Sequence, residues 1–499
     1  SLDSDEAVAD DQIRIASARE NSAHTMETWI DNRKEASTVT RTGAFTLTQS
    51  GIGAIPGASP SSFFKGWIYG AFGIKKTLTD AELLKVQEWM AARYHSTRRA
   101  ADGATTLPVL PKEAFFHGKR LGGSVTLTNG IRVTDFEFDG KFRGRAYSPF
   151  SMGASAGDAH SAPSLLPLSD GRLMVTWTGH TANYYVRTTL GPSIEPGQWG
   201  TTRHLTAELG LADPGKYTYA SAAEMATGVF LFVRSRTGAE TDAQLGYWYT
   251  SNLDPEAEFP DMTKFIAGNR PYVMHAKASP WRVYFEVSTG HPTEQATNSI
   301  YGCYMDISES TGAVTFHKLD GTPLTLPMAP ADMTLIHDGT TNRAWIGSVA
   351  IGADGQPRFT YDVYNDLVDD HTYWHARWTG SAIVANPIAS DNGLIIPGIY
   401  YATGNATLDP EDPTIAYLGR LVAPETVIQI WRYTSDDDGL TWTGEQLTDE
   451  DEQAFAASII EDAPEPRLVY TVGPFDDVGG IFVGDTRRKL ANSVTGEDE

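Results

Sequence analysis

A single cysteine, Cys303, stands in 499 residues, so no disulfide can form within one chain. No apolar run approaches the roughly 20 residues that a membrane-crossing helix needs. Basic residues are scarce: 39 Lys and Arg against 63 Asp and Glu give a formal net charge of −24. A nucleic-acid binder needs a basic footprint, and none is visible. An anionic polysaccharide would meet a repelling field at long range, screened within about 8 Å at physiological salt. An acidic substrate therefore asks for a local island of Arg and His. The opening stretch Ser1 to Asp11 is polar, unlike a signal peptide and as at a processed terminus. A secreted or extracellular location, virion-associated in one variant of the reading, is expected from function instead.

What is present is aromatic and turn-rich: 12 Trp, 21 Tyr, 47 Gly and 27 Pro are enough to bury a core and to punctuate many short strands. From residue 111 onward, strand-like runs recur at Gly171 to His180, Gly228 to Arg234, Trp281 to Thr289, Ala344 to Ile351, Ile395 to Ala402, Val427 to Thr434 and Leu468 to Val472. Helical periodicity is nearly absent there, which argues against an α/β barrel. A period of about 50 residues marks four-stranded propeller blades, and the length allows roughly seven of them. Ser435 to Trp442 fits the Asp-box pattern S-x-D-x-G-x-T-W. That pattern is a hairpin turn in which Ser and Asp satisfy turn amides, Gly takes a positive φ and Trp packs beneath.

The first hundred residues differ. Thr79 and Glu82 make a capping box ahead of apolar Leu83, Leu84, Val86, Trp89 and Met90, which predicts a helix over Thr79 to Tyr94. With the strand-like run Gly66 to Gly73 before it, this segment resembles the end of a laminin-G or concanavalin-like jelly roll. The expected fold is all-β: a seven-bladed β-propeller over 111–490, a small jelly-roll-like accessory segment over 1–98, a linker at 99–110 and a disordered acidic tail at 491–499.

His160 and His180 flank a strand, an Asp-Gly turn and a second strand, a length that returns the chain to its starting end. Tyr219 and Arg234 flank another strand pair in the same way. Two His, a Tyr and an Arg are what β-elimination of a uronate needs. The Arg neutralises the carboxylate, His or Tyr removes the C5 proton, and a Tyr hydroxyl protonates the departing O4.

The pieces "DAHSAP", "TGH", "VRTTLGPSIEPGQW", "YTYASAAEM", "LFVRSR", "NRPYVMHAKASPWRVYFEVSTGHP" and "NSIYGCYMDI" together resemble the BNR-repeat propeller lyases, the group that includes ulvan lyases. The resemblance implies catalytic roles for His160, His180, Tyr219 and Arg234, with Tyr217 as the alternative to Tyr219 because the register around "YTY" is open by two. It also implies that Asn183, Arg270 and Tyr272 line the cleft. Related lyases carry a structural zinc, for which His291 and Cys303 are candidates with His317 or His275; Met305 stands where another ligand is expected. A buried free thiol is the competing reading of Cys303. No catalytic metal or organic cofactor is required.

The expected partner is an acidic, ulvan-like polysaccharide, with neither nucleic acid nor membrane. Two other readings stand beside the lyase. A sialidase-type hydrolase would share the Asp-box but lacks an Arg-Ile-Pro element here. A non-catalytic glycan-binding propeller, such as a virion adhesin, would fit the jelly-roll-like segment.

Overall fold

The structure is a computed structural model that describes residues 16–20, 25–30 and 33–40 and, with breaks, residues 113–484. The chain divides into two compact units, Ser1–Arg98 and Arg99–Glu499. In the first, the described strands Ala16–Glu20, Thr25–Ile30 and Arg33–Thr40 form one antiparallel sheet. The expected helix over Thr79 to Tyr94 lies outside the described residues, as do the strand-like run Gly66 to Gly73, the linker 99–110 and the tail 491–499.

The second unit is all-β. Seven antiparallel sheets follow one another among its described residues. The first holds Glu113–Phe116, Lys119–Thr126, Gly130–Glu137 and Arg145–Gly153. The second holds Ser164–Pro167, Leu173–Thr178, Tyr184–Thr188 and Arg203–His204. The third is Tyr217–Met225, Gly228–Arg236, Ala243–Thr250 and Thr263–Ala267. The fourth begins with Val273–Ser279, Arg282–Ser288, Ile300–Ile307 and Val314–Lys318, and gains the short strands Pro323–Leu324 and Thr334–His337. The fifth is Arg343–Ile351, Pro357–Asn365, Asp370–Trp378 and Ile383–Asp391. The sixth is Ala406–Leu408, Ile415–Arg420, Gln429–Thr434 and Thr443–Gln446. The seventh is Ala454–Ile459, Leu468–Val472 and Gly480–Gly484. Six of the seven strand-like runs of the sequence fall on these strands; Ile395 to Ala402 lies outside the described residues.

Consecutive sheets pack face to face, so the core is a series of layers. "VFLFV" shows why such strands read as unbroken apolar runs. Val229, Leu231 and Val233 enter the layer toward the second sheet, with Met174 and Tyr184. Phe230 and Phe232 enter the layer toward the fourth, with Phe285 and Phe316. Both faces are covered, so alternation disappears. The first strands of neighbouring sheets touch one another, and Gly480–Gly484 of the last sheet comes against Arg145–Gly153 of the first.

Three of the first strands share a second feature. The pairing of Tyr217–Met225 slips between Thr218 and Ser221, that of Arg343–Ile351 between Ile346 and Ser348, and that of Ala454–Ile459 between Phe455 and Ser458. Left-handed residues stand in two of these slips, Tyr219 at φ 60° and Ala456 at 53°, and just before the first strands of the fourth and sixth sheets, Arg270 at 61° and Asn405 at 69°. A bulge of this kind re-aims a side chain out of the ladder.

At the other end of the meander, the Ser435–Trp442 turn is closed by its own side chains. Asp437 accepts from the Leu440 and Thr441 amides at 3.1 and 2.8 Å, and Ser435 Oγ accepts from the Gly439 amide at 2.8 Å. Thr441 Oγ1 donates to the same carboxylate at 2.7 Å, and this bond, with the amide of Thr441, holds the Asp437 carboxyl down at about 2. Gly439 has φ 85°, and a Cβ there would meet the His375 ring at 2.1 Å, so no other residue fits.

Candidate active site

Tyr219 and Arg234 come together at the end of the third sheet where its first strand begins and its second strand finishes; the register pairs Thr218 with Arg234. The Arg234 guanidinium carbon lies 4.6 Å from the Tyr219 ring centre and 4.5 Å from that of Tyr272. The two rings are 5.3 Å apart, centre to centre. Arg234 is thus a buried cation, 1% exposed, between two phenols. Its Nε donates to Thr218 Oγ1 at 3.0 Å. Neither terminal nitrogen has a hydrogen-bond partner among the described residues. A buried guanidinium left in that state costs several kcal/mol unless an anion completes it, on the order of the penalty for an unpaired buried charge.

The bulge decides which tyrosine of "YTY" reaches this place. Tyr217 packs inward on Trp248, in the layer toward the second sheet. Tyr219, two residues on and past the slip, turns to Arg234 and Tyr272. Burial pushes the Tyr219 phenol well above its usual value; Tyr272 adds to the rise and Arg234 opposes it. At neutral pH it is a protonated O–H donor.

The fourth sheet supplies the next residues. Arg270 and Tyr272 stand just before or at its first strand, both buried, with Arg270 Nη2 donating to Tyr272 Oη at 3.4 Å. The structure therefore joins Tyr219, Arg234, Arg270 and Tyr272 in one cluster. Trp345, from the first strand of the fifth sheet, meets Tyr272 edge-on with ring centres 4.7 Å apart, and His291 lies beside both at 5.8 and 6.1 Å. The sequence reading had no role for Trp345, because "AWIG" carries only the pattern of a strand. Asn183 sits directly before Tyr184–Thr188 in the second sheet, partly buried. His160 and His180 lie outside the described residues.

Cys303 and His291 are not brought together. Cys303 is fully buried between the third and fourth sheets among Phe285, Met305 and Phe316, where burial pushes its thiol up. His291 belongs with Tyr272 and Trp345 toward the fifth sheet. The register puts Phe285 between His275 and Cys303 on one face. His317 stacks on Tyr304 and bonds to Thr315 and Gly321 instead. This donor set does not fit a zinc ion, and no group of three His, Cys, Asp or Glu suited to a metal occurs among the described residues.

The model of the BNR repeat-containing family matches residues 131–389, more than half of the chain. Among solved structures, one similar chain is an ulvan lyase of a new polysaccharide lyase family, bound to an oligomer of glucuronate and sulfated rhamnose. It is 16% identical with a TM-score of 0.59, over 78% of this chain and 96% of that one. Another is a second polysaccharide lyase, 12% identical with a TM-score of 0.52, over 77% and 91%. These likenesses are of fold. A search of curated proteins gives no match.

Proposed function

The chain belongs to the BNR repeat-containing family, and from that premise we propose that it cleaves an acidic, uronate-bearing polysaccharide by β-elimination. The observation that carries this reading is Arg234: a buried cation held between Tyr219 and Tyr272, with both terminal nitrogens unmet among the described residues. A planar carboxylate is the anion whose geometry matches a guanidinium fork. The seven sheets are read as seven blades of one propeller, closed where Gly480–Gly484 meets Arg145–Gly153.

In the proposed step Arg234 takes the uronate carboxylate, which stabilises the negative charge that develops when the C5 proton leaves. A base takes that proton, the electron pair becomes the C4–C5 double bond, and the C4–O4 bond breaks. Tyr219, held protonated, gives its proton to O4. The base then falls to His160 or His180, since a phenol raised this far is a poor one at neutral pH. Arg270 and Tyr272 border the carboxylate position, and Asn183 is assigned to the cleft on the second-sheet side. The step asks for no catalytic metal and no organic cofactor. The lyase likeness supports the substrate class, since the ulvan lyase of similar fold was bound to a glucuronate-containing oligomer.

The test is incubation with a panel of uronate polymers, read by the ultraviolet absorbance of 4,5-unsaturated uronates. Absorbance rising with new reducing ends is expected. Reducing ends without absorbance would mean a hydrolase, and binding without any cleavage a glycan-binding propeller.

A further inference from the structure

We infer that Tyr184, Ser221 and His275 are positioning residues that hold Tyr219 in its left-handed bulge; the inference rests on the lyase reading for its kinetic consequence only. Tyr219 at φ 60° is a bulky residue in a region that favours glycine. Nothing in "YTYAS" prefers that conformation locally, so the surroundings must impose it. Two residues on, Ser221 is gripped from both flanking sheets. From the second sheet, the fully buried Tyr184 Oη donates to the Ser221 carbonyl at 3.3 Å. From the fourth, His275 Nε2 and Ser221 Oγ share a hydrogen bond of 3.2 Å. The third tie is internal: Arg234 Nε on Thr218 Oγ1 at 3.0 Å, on the other side of the slip. Tyr219 therefore lies between two anchored residues, Thr218 and Ser221.

The rings that supply these bonds are themselves fixed. Tyr184 meets Trp248 at 5.0 Å, and His275 is wedged against Phe232 and Phe285 at 5.1 and 6.2 Å. His275 is kept neutral by burial, at about 4, so it enters the bond as an uncharged donor or acceptor and adds no field of its own at the site. Three sheets meet at one serine, directly behind the phenol that is to deliver a proton. The device converts packing between sheets into the aim of a single side chain.

Tyr184→Phe and Ser221→Ala each delete one grip while leaving the ring or the strand in place, and the double variant deletes both. The full chain is used, with unsaturated-uronate release giving kcat and KM, and crystal structures giving φ at residue 219. Each single variant is expected to lower kcat about tenfold with KM within about twofold, as for a misaimed group acting in the transition state. The double variant is expected to carry residue 219 out of the left-handed region. His275→Gln, which keeps a hydrogen-bonding group, should restore most of the kcat that His275→Phe loses. A double variant with φ still near its present value and wild-type kcat would overturn the inference. Should the wild type release no unsaturated product from any polymer, the lyase reading fails while φ in the double variant still decides the grip.

Discussion

Two arginines at opposite ends of the same strand meander differ in what answers their charge. Arg234 lies where first strands begin, between two phenols, with no carboxylate on its terminal nitrogens among the described residues. Arg358 lies where first strands end, and it is saturated. It bonds Asp438 at 3.1 Å and Asp354 at 3.2 Å, while Arg377 adds a second cation to Asp438 at 2.6 Å. Around Arg358, a concavity of about 470 Å³ is rimmed by Glu411, Asp412 and Asp436. The sixth and seventh sheets continue the pattern, with Arg467 on Asp409 and Glu411. One end balances its charges internally and has no use for an anion. The other keeps a buried cation whose terminal nitrogens meet no carboxylate among the described residues, and on the proposed reading that is where the uronate binds.

The contrast can be broken by substitution. Arg234→Ala should have the largest effect: about 10³-fold loss of turnover, in the range for removing a group that stabilises developing charge, together with weaker binding of a uronate oligomer by calorimetry. Tyr219→Phe should lower kcat by about 10²-fold with an unchanged melting curve, because the ring keeps its place between Arg234 and the fourth sheet and only the proton is lost. Arg358→Ala should do the reverse. Turnover should stay within about twofold, while denaturant unfolding shows a loss of about 2 kcal/mol. That is less than for a fully buried pair, since Asp438 is partly exposed.

A smaller effect is expected from pH. His275, His371 and His375 are buried and held at about 4, about 3 and about 4, chiefly by burial. Their unfolded value is 6.5, so below it the unfolded chain takes up protons that the folded chain refuses. Stability is full above pH 6.5 and drains as pH falls toward 4. Melting temperature measured from pH 7 to 4 should fall over that window, and His375→Gln should flatten part of the slope.

The sequence made the strands legible because strands covered on both faces are dense in Val, Ile, Phe and Tyr between Gly and Asp turns. The strand pair brought Tyr219 and Arg234 to one end, where the structure has them adjacent; Arg270 and Tyr272 came only from the family resemblance, and the structure sets both beside that pair. What the sequence could not show was the bulge. "YTYAS" has no glycine to announce a left-handed residue, so the choice between Tyr217 and Tyr219 stayed open until the pairing was seen to slip. Trp345 and Ser221 were missed for a related reason: their roles arise from contacts between sheets, which no local pattern encodes. Cys303 and His291 were paired on the zinc that the lyase resemblance implies, but Cys303 faces the layer toward the third sheet while His291, past the end of Arg282–Ser288, lies beside Tyr272 and Trp345.

The most direct test compares one uronate polymer with the same polymer after its carboxyls have been reduced to alcohols. Arg234 in its phenol pair is held to act on the carboxylate, so wild-type protein should cleave the native polymer, with unsaturated uronate appearing in the ultraviolet, and leave the reduced polymer intact. Arg234→Ala should bind both forms equally weakly. Equal cleavage of native and reduced polymer by the wild type would contradict the account.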